Sequence, residues 1–349
     1  MSLYDGMAAM NLEFSERVPR TEYSADSHWD LVKAVTGMNT ASEEERKNAS
    51  KAFRKAWNYD FFWNVMIFNQ IFNGKFTKMG HANFAHGGTD FNNETTELFS
   101  SPEDVILVDF WELYGIADKK SVVSGFNERY KKLCEDTPDA VNTTGIYVTL
   151  MSGLIEILGW DMLLMTAGVY PKEFGEFTNR YAEWIKQYFE ALAETDFPIV
   201  KVHDDIVWTQ GAFLNPEWYR EYIFPNYKKL FAPLIEAGKK IIYTSDGNYT
   251  GFIDDIADTG VHGFVMEPLT DMKCIAEKYG KSHVFIGNAD TNVLLRGTKE
   301  EIYGEVKRCM DIGKSCPGFF MAVGNHIPAN TPVDNALYYN EIYEKMSRR

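Results

Sequence analysis

Short apolar runs recur through the second half of the chain, and each ends in a polar cluster. Ile199-Val200-Lys201-Val202 leads into His203-Asp204-Asp205, and Lys240-Ile241-Ile242-Tyr243 leads into Thr244-Ser245-Asp246-Gly247-Asn248. The run from Val261 to Met266 ends at Glu267-Pro268. The run from His283 to Ile286 ends at Gly287-Asn288-Ala289-Asp290, and that from Phe319 to Val323 at Gly324-Asn325-His326. Each run has the length of a strand, and helix-like sequence separates them. Strands alternating with helices build a parallel sheet in an α/β fold. Polar side chains gathered where such strands end point to a (β/α)8 TIM barrel with its site at that rim.

The first part of the chain reads differently. Ser42 followed by Glu43-Glu44-Glu45 is a helix start, with a hydroxyl N-cap and acids in the first turn, and the helix continues through Arg46 to Trp57. Residues 1–57 are therefore expected to form a helical N-terminal extension, and residues 58–349 the barrel catalytic domain. The aromatic, apolar stretch from Tyr59 to Ile71 fits a buried strand or a helix equally well. Lys75 to Asp90 carries the glycines of a loop, with His81, His86 and Asp90 inside it. Gly145 to Met151 is another strand candidate, while Pro171 to Thr195 and Pro216 to Ala237 read as long helices. Neither an internal repeat nor a low-complexity linker divides the chain.

Composition narrows the function. With 349 residues, 45% of them hydrophobic, the chain can bury a full core. Aromatic residues make up 15%, which serves a bulky core and also suits a pocket for an aromatic substrate. A formal charge of −15 argues against a nucleic-acid partner, which needs a basic footprint, and against an anionic membrane surface. No apolar stretch of transmembrane length and no basic-then-apolar leader is visible, so a cytoplasmic protein is expected, with a homo-oligomer allowed. The sequon at Asn142 then carries no meaning. Cys134, Cys274, Cys309 and Cys316 are widely spaced and read as free thiols. Only Cys274, near the start of the helix after Glu267, is placed to approach the rim.

The strand-end clusters carry the chemistry. Alternate strand residues share a side, so His203 and Asp205 should face one way and Asp204 the other. A carboxylate beside an imidazole raises its pKa and fixes its tautomer, which suits a general acid or a metal ligand. The plainer alternative is a cap or turn role for one aspartate. Pro268 ends its strand and leaves the Glu267 carboxylate at the rim. His203, Asp205 and Glu267 are the expected catalytic residues. Asp246, Glu267 and His326 form a donor set that suits zinc, with Cys274 as a substitute. His81, Tyr147, Asn248, Asn288, Asp290 and Asn325 are the expected substrate contacts, although Asn248 and Asp290 serve equally well as helix caps. P-loop, GxGxxG, GxSxG, HExxH and CxxC signatures do not occur.

At these residues the chain resembles the uroporphyrinogen decarboxylase superfamily, and within it the corrinoid-dependent methyltransferases. The resemblance runs from about Val141 to Met346. It rests on His203-Asp204-Asp205, Asn215-Pro216-Glu217-Trp218-Tyr219-Arg220, Pro225-Asn226-Tyr227-Lys228, Gly238 to Asn248, Gly287-Asn288-Ala289-Asp290, Arg296 to Glu301 and Ile327 to Asn335. Arg17-Val18-Pro19-Arg20 and Thr36-Gly37 resemble the same group weakly. The resemblance implies a (β/α)8 barrel. It disfavours porphyrinogen decarboxylation, because the arginine-rich N-terminal segment that grips the substrate carboxylates has no counterpart here. Thiol-activating members carry a His-x-Cys pair and a later Cys as zinc ligands, where this chain has Thr244-Ser245-Asp246 and Asn325. The resemblance is thus to the substrate-side methyltransferases of anaerobic O-demethylase systems. It implies a small methoxylated aromatic methyl donor and a cobalt(I) corrinoid on a separate carrier protein, since this chain lacks the corrinoid-binding DxHxxG. A decarboxylase or lyase of the same superfamily, and a non-enzymatic tetrapyrrole-binding scaffold, are the alternatives.

Overall fold

The computed structural model describes residues 1–78, 83–85, 88–90 and 96–349. His81, expected as a substrate contact, lies outside the described residues. The parallel strands are β1 (Phe61–Phe62), β2 (Val141–Asn142), β3 (Thr144–Ile146), β4 (Ile199–His203), β5 (Lys240–Ser245), β6 (Gly263–Met266), β7 (Val284–Ile286) and β8 (Phe319–Phe320). β3 to β8 form a six-stranded parallel sheet in chain order, and β1 pairs with β2. The register aligns Val200 of β4 with Thr144 on one side and Ile241 on the other. It brings the polar strand ends to one level: His203 faces Thr244, and Met266 faces Ser245.

Parallel bridges extend this array through the N-terminal segment. Arg20 bridges both Tyr59 and Met321, Tyr23 bridges His326, and Ile67 bridges Ile146. Ile199, Ile242, Val284, Ile286 and Phe320 pack together with Phe61 and Val141 in one apolar cluster, against which Tyr23 and Trp63 lie. Gly145 is required where β3 meets β4, because a Cβ there would run into the Lys201 carbonyl.

Three local expectations are corrected. The stretch Pro216–Ala237 is two helices, Pro216–Tyr222 and Phe224–Glu236. Pro225 explains the break, since it lacks the N–H and its ring clashes with the carbonyl a turn earlier. The strand expected over Gly145–Met151 stops at Ile146, and Met151 opens a helix that runs to Val169. That helix does reach the length and apolarity of a membrane span, contrary to the reading of the sequence. It is apolar all round because 61% of its apolar window is buried inside the fold, and Gly159 interrupts its helical geometry at φ 69°.

Candidate active site

The alternation expected at the end of β4 is present. Asp204 is fully buried and turned away from the cavity. Its carboxylate accepts from Leu150 N–H at 3.2 Å and Ser152 N–H at 2.7 Å, and from the Tyr227 hydroxyl, so it fixes the start of the Met151–Val169 helix. Burial pushes its pKa up to about 6, against the pull of those donors. His203 faces the other way. Its Nε2 lies 3.2 Å from Asp205 Oδ1, and its ring stacks on Tyr147 at a centroid distance of 3.8 Å. Burial lowers the pKa of His203, but Asp205 outweighs it, and the net shift is upward.

The strand ends line a cavity that opens to solvent. His203, Asp246, Glu267, Asn325, His326 and Tyr147 line it, together with Tyr23 and Lys201. Asp246 keeps solvent exposure there, yet desolvation by the surrounding wall, with the charges of Asp205 and Glu267, pushes its carboxyl up to about 7. Its backbone N–H donates to Asp205 Oδ1 at 3.0 Å. Gly247, at φ +83°, turns the chain so that its N–H reaches Glu267 Oε2 at 2.6 Å. The other Glu267 oxygen accepts from the Asn325 amide, whose Oδ1 in turn accepts from His326 N–H at 2.8 Å. Burial, then Lys201, lowers the pKa of His326 to about 4, so its ring is neutral at neutral pH.

Other expected contacts are not brought together with these. Asn288 is fully buried and outside the cavity wall. Its amide donates to the carbonyls of Glu267 and Thr270, both at 3.1 Å, and its Oδ1 accepts from Arg308 at 2.9 Å. These bonds tie the end of β7 to the segment after β6 and to the Lys299–Gly313 helix. Asp290 caps the Thr291–Arg296 helix through Asn292 N–H, and Asn248 accepts from Thr250 N–H. Asp290 thus takes the capping role, and Asn248 closes a local turn. Cys274 sits in the first turn of the Met272–Tyr279 helix, away from the cavity lining.

The metal donor set also differs from the expected Asp246, Glu267 and His326. Among the described residues, His203, Asp205 and Asp246 are the group whose ligand atoms lie within 4.8 Å of one another. Glu267 is held by Gly247 and Asn325 instead.

Two wall residues were not anticipated. Tyr23 arrives from the N-terminal segment and stacks on Trp63 at 5.0 Å. Lys201 lies two residues before His203 and shares its side of β4, only 9% exposed. Its ammonium lies 4.9 Å from the centroid of the Trp63 ring and 5.6 Å from that of Tyr23. Burial lowers its pKa to about 8, against the pull of Asp246 and Asp205. A lone charged residue inside an otherwise apolar strand was the available signal.

The sequence pattern of the uroporphyrinogen decarboxylase (URO-D) family matches residues 120–345. The chain belongs to the URO-D family. This URO-D family member is 28% identical over 233 residues to the uroporphyrinogen decarboxylase of Carboxydothermus hydrogenoformans, covering 61% of this chain and 65% of that protein. It is 29% identical over 169 residues to that of Thermus thermophilus, covering 48% of each. It also matches the methylcobamide:CoM methyltransferase MtbA of Methanosarcina acetivorans, at 24% identity over 127 residues, 36% of this chain and 37% of that protein. The chain thus spans between about a third and two thirds of the length of these curated relatives. Its fold resembles that of a methyltransferase from Methanosarcina mazei, with a TM-score of 0.65 and 16% identity over 99% of both chains.

Proposed function

We propose that the protein is a corrinoid-dependent methyltransferase, the O-demethylase component that moves a methyl group from a methoxylated aromatic compound to the cobalt(I) corrinoid of a partner protein. One observation carries the reading. An imidazole–carboxylate pair, further carboxylates and two tyrosine rings meet in one small cavity at the strand ends of a URO-D family chain. The similarity to MtbA and the end-to-end likeness to the Methanosarcina mazei methyltransferase support the methyltransferase branch.

In this reading the fold is a closed (β/α)8 barrel. The bridges from Arg20 to Tyr59 and to Met321 support closure, because they link β8 to the β1 side of the array. Residues 58–349 are the catalytic unit. Residues 1–57 are an extension whose Arg17–Tyr23 segment joins the strands and supplies Tyr23 to the cavity. All four cysteines are free, in keeping with a cytoplasmic protein.

An aryl methyl ether is a poor methyl donor because phenolate leaves badly. Protonating the ether oxygen lowers that barrier. His203, whose pKa Asp205 raises against burial, donates this proton. As the methyl passes to cobalt(I) at the cavity mouth, the electron pair of the O–CH3 bond stays on oxygen and a phenol remains. Glu267, with Gly247 and Asn325, holds the rim around the reacting oxygen. The Tyr147 ring and Asn325 contact the substrate. An imidazole and two carboxylates also suit zinc. His203, Asp205 and Asp246 would hold it, and it would supply Lewis acidity at the same oxygen.

The test is spectroscopic. A methoxyarene added to the protein and a reduced corrinoid carrier should convert cobalt(I) to methylcobalt(III), and omitting the protein should abolish the change. The second reading is a decarboxylase of the same family, favoured by the names of the curated relatives. Release of carbon dioxide from a carboxylated substrate, with no methoxyarene supporting cobalt methylation, would establish that reading instead.

A further inference from the structure

Lys201 stands out in the cavity wall as a buried charge without a carboxylate beside it among the described residues. Lys201 is buried, lines the cavity and carries three N–H donors on its ammonium. Among the described residues no carboxylate lies within ion-pairing distance of it, and no acceptor is hydrogen-bonded to it. It rests instead on the faces of Trp63 and Tyr23. The Tyr23 hydroxyl and the Trp63 indole N–H are themselves buried without a hydrogen-bond partner among the described residues. Three neighbouring groups therefore carry donors left unmatched among the described residues, and such groups are costly to bury.

The nearby acids do not fill this role. Asp205 takes His203 and the Asp246 N–H, and Glu267 takes Gly247 and Asn325. Lys201 also sits below His203 along the strand, on the side away from the rim where the methyl group must leave. An aromatic donor entering methyl-end outward would thus direct its opposite end toward the Lys201 cluster.

We propose that Lys201 forms, beside Tyr23, a subsite for an anionic oxygen substituent, so that the enzyme selects methoxyarenes bearing a carboxylate or similar oxyanion. The proposal rests on the methyl-donor reading above and names the substrate class for it. Tyr23 lines the cavity beside Lys201, and Lys201 supplies the counter-charge. Lys201 is then a specificity residue, and the proton of the transfer step still comes from His203.

The experiment measures binding of 4-methoxybenzoate and its neutral isostere 4-methoxybenzamide to the full chain by calorimetry. The wild type should bind the carboxylate roughly 10- to 100-fold more tightly than the amide, the scale of a charge-assisted hydrogen bond. Lys201→Met, which keeps the apolar stem, should erase that preference. Lys201→Arg should restore part of it. Equal affinity of the wild type for the two compounds, absence of carboxylate binding, or an undiminished preference in Lys201→Met would each overturn the proposal. Cobalt methylation is scored separately. A Lys201-dependent preference without methyl transfer leaves the anion subsite standing and removes the methyl-donor reading. Transfer that ignores the carboxylate does the reverse.

Discussion

Arg20→Met is expected to cost the fold about 3–5 kcal/mol, the scale for removing one partner from a buried ion pair. Arg20 is fully buried. Its Nε donates to Glu22 Oε1 at 2.8 Å, and another of its nitrogens donates to Asn340. Its guanidinium lies over the rings of Trp57, Tyr343 and Tyr339 at 4.4, 4.7 and 5.0 Å. Each such face contributes about 0.5–2 kcal/mol, and methionine keeps part of the packing. The larger loss falls on Glu22, left in the core with the Val323 N–H at 2.9 Å and the Tyr339 hydroxyl at 2.8 Å as its partners among the described residues. Burial already raises the pKa of Glu22, and the Arg20 charge opposes that rise. Without Arg20 the carboxyl must hold its proton to stay buried. An acid whose folded pKa lies above its unfolded value favours folding most at low pH, and that contribution is lost as pH rises. The variant should therefore fall further behind the wild type between about pH 5 and about pH 8, above the ordinary glutamate range. Glu22→Gln in the same background should recover part of the loss. Urea denaturation of the wild type, both single variants and the double variant measures this. A cost below about 1 kcal/mol, a cost independent of pH, or strict additivity of the two substitutions would refute the reasoning.

The remaining expectations concern the cavity. His203→Ala and Glu267→Ala should each lower methyl transfer by roughly 100-fold or more, because both side chains line the cavity wall. A wild-type rate in either variant removes that residue from the mechanism. If zinc binds, elemental analysis should show it lost from His203→Ala and Asp246→Ala and retained in His326→Ala, whose ring is outside the close donor cluster. Loss in His326→Ala with retention in His203→Ala would instead restore the donor set expected from the sequence.

Much of this site was legible because strands impose a period of two. Once β4 was recognised, the sides taken by His203, Asp204 and Asp205 followed from backbone geometry alone. Glu267 was legible for a similar reason, since Pro268 ends its strand beside it. Helix starts at Ser42 and Pro171 carried local signals that no distant contact had to confirm. Other residues depended on partners far away in sequence. Asn288 reads like any rim amide until Arg308 and two carbonyls consume its hydrogen bonds. The same holds for His326 and Glu267 as metal ligands, because the choice between donor sets depends on side-chain distances of a few ångströms that spacing along the chain does not encode. Tyr23 and Trp63 come from the N-terminal part of the chain and meet Lys201 only through parallel pairing across the array. Local sequence determined which residues stand at strand ends, because that depends on backbone periodicity. Tertiary structure decided which of them face a shared cavity and which are spent on holding it together, because hydrogen bonds and burial are settled between segments rather than within them.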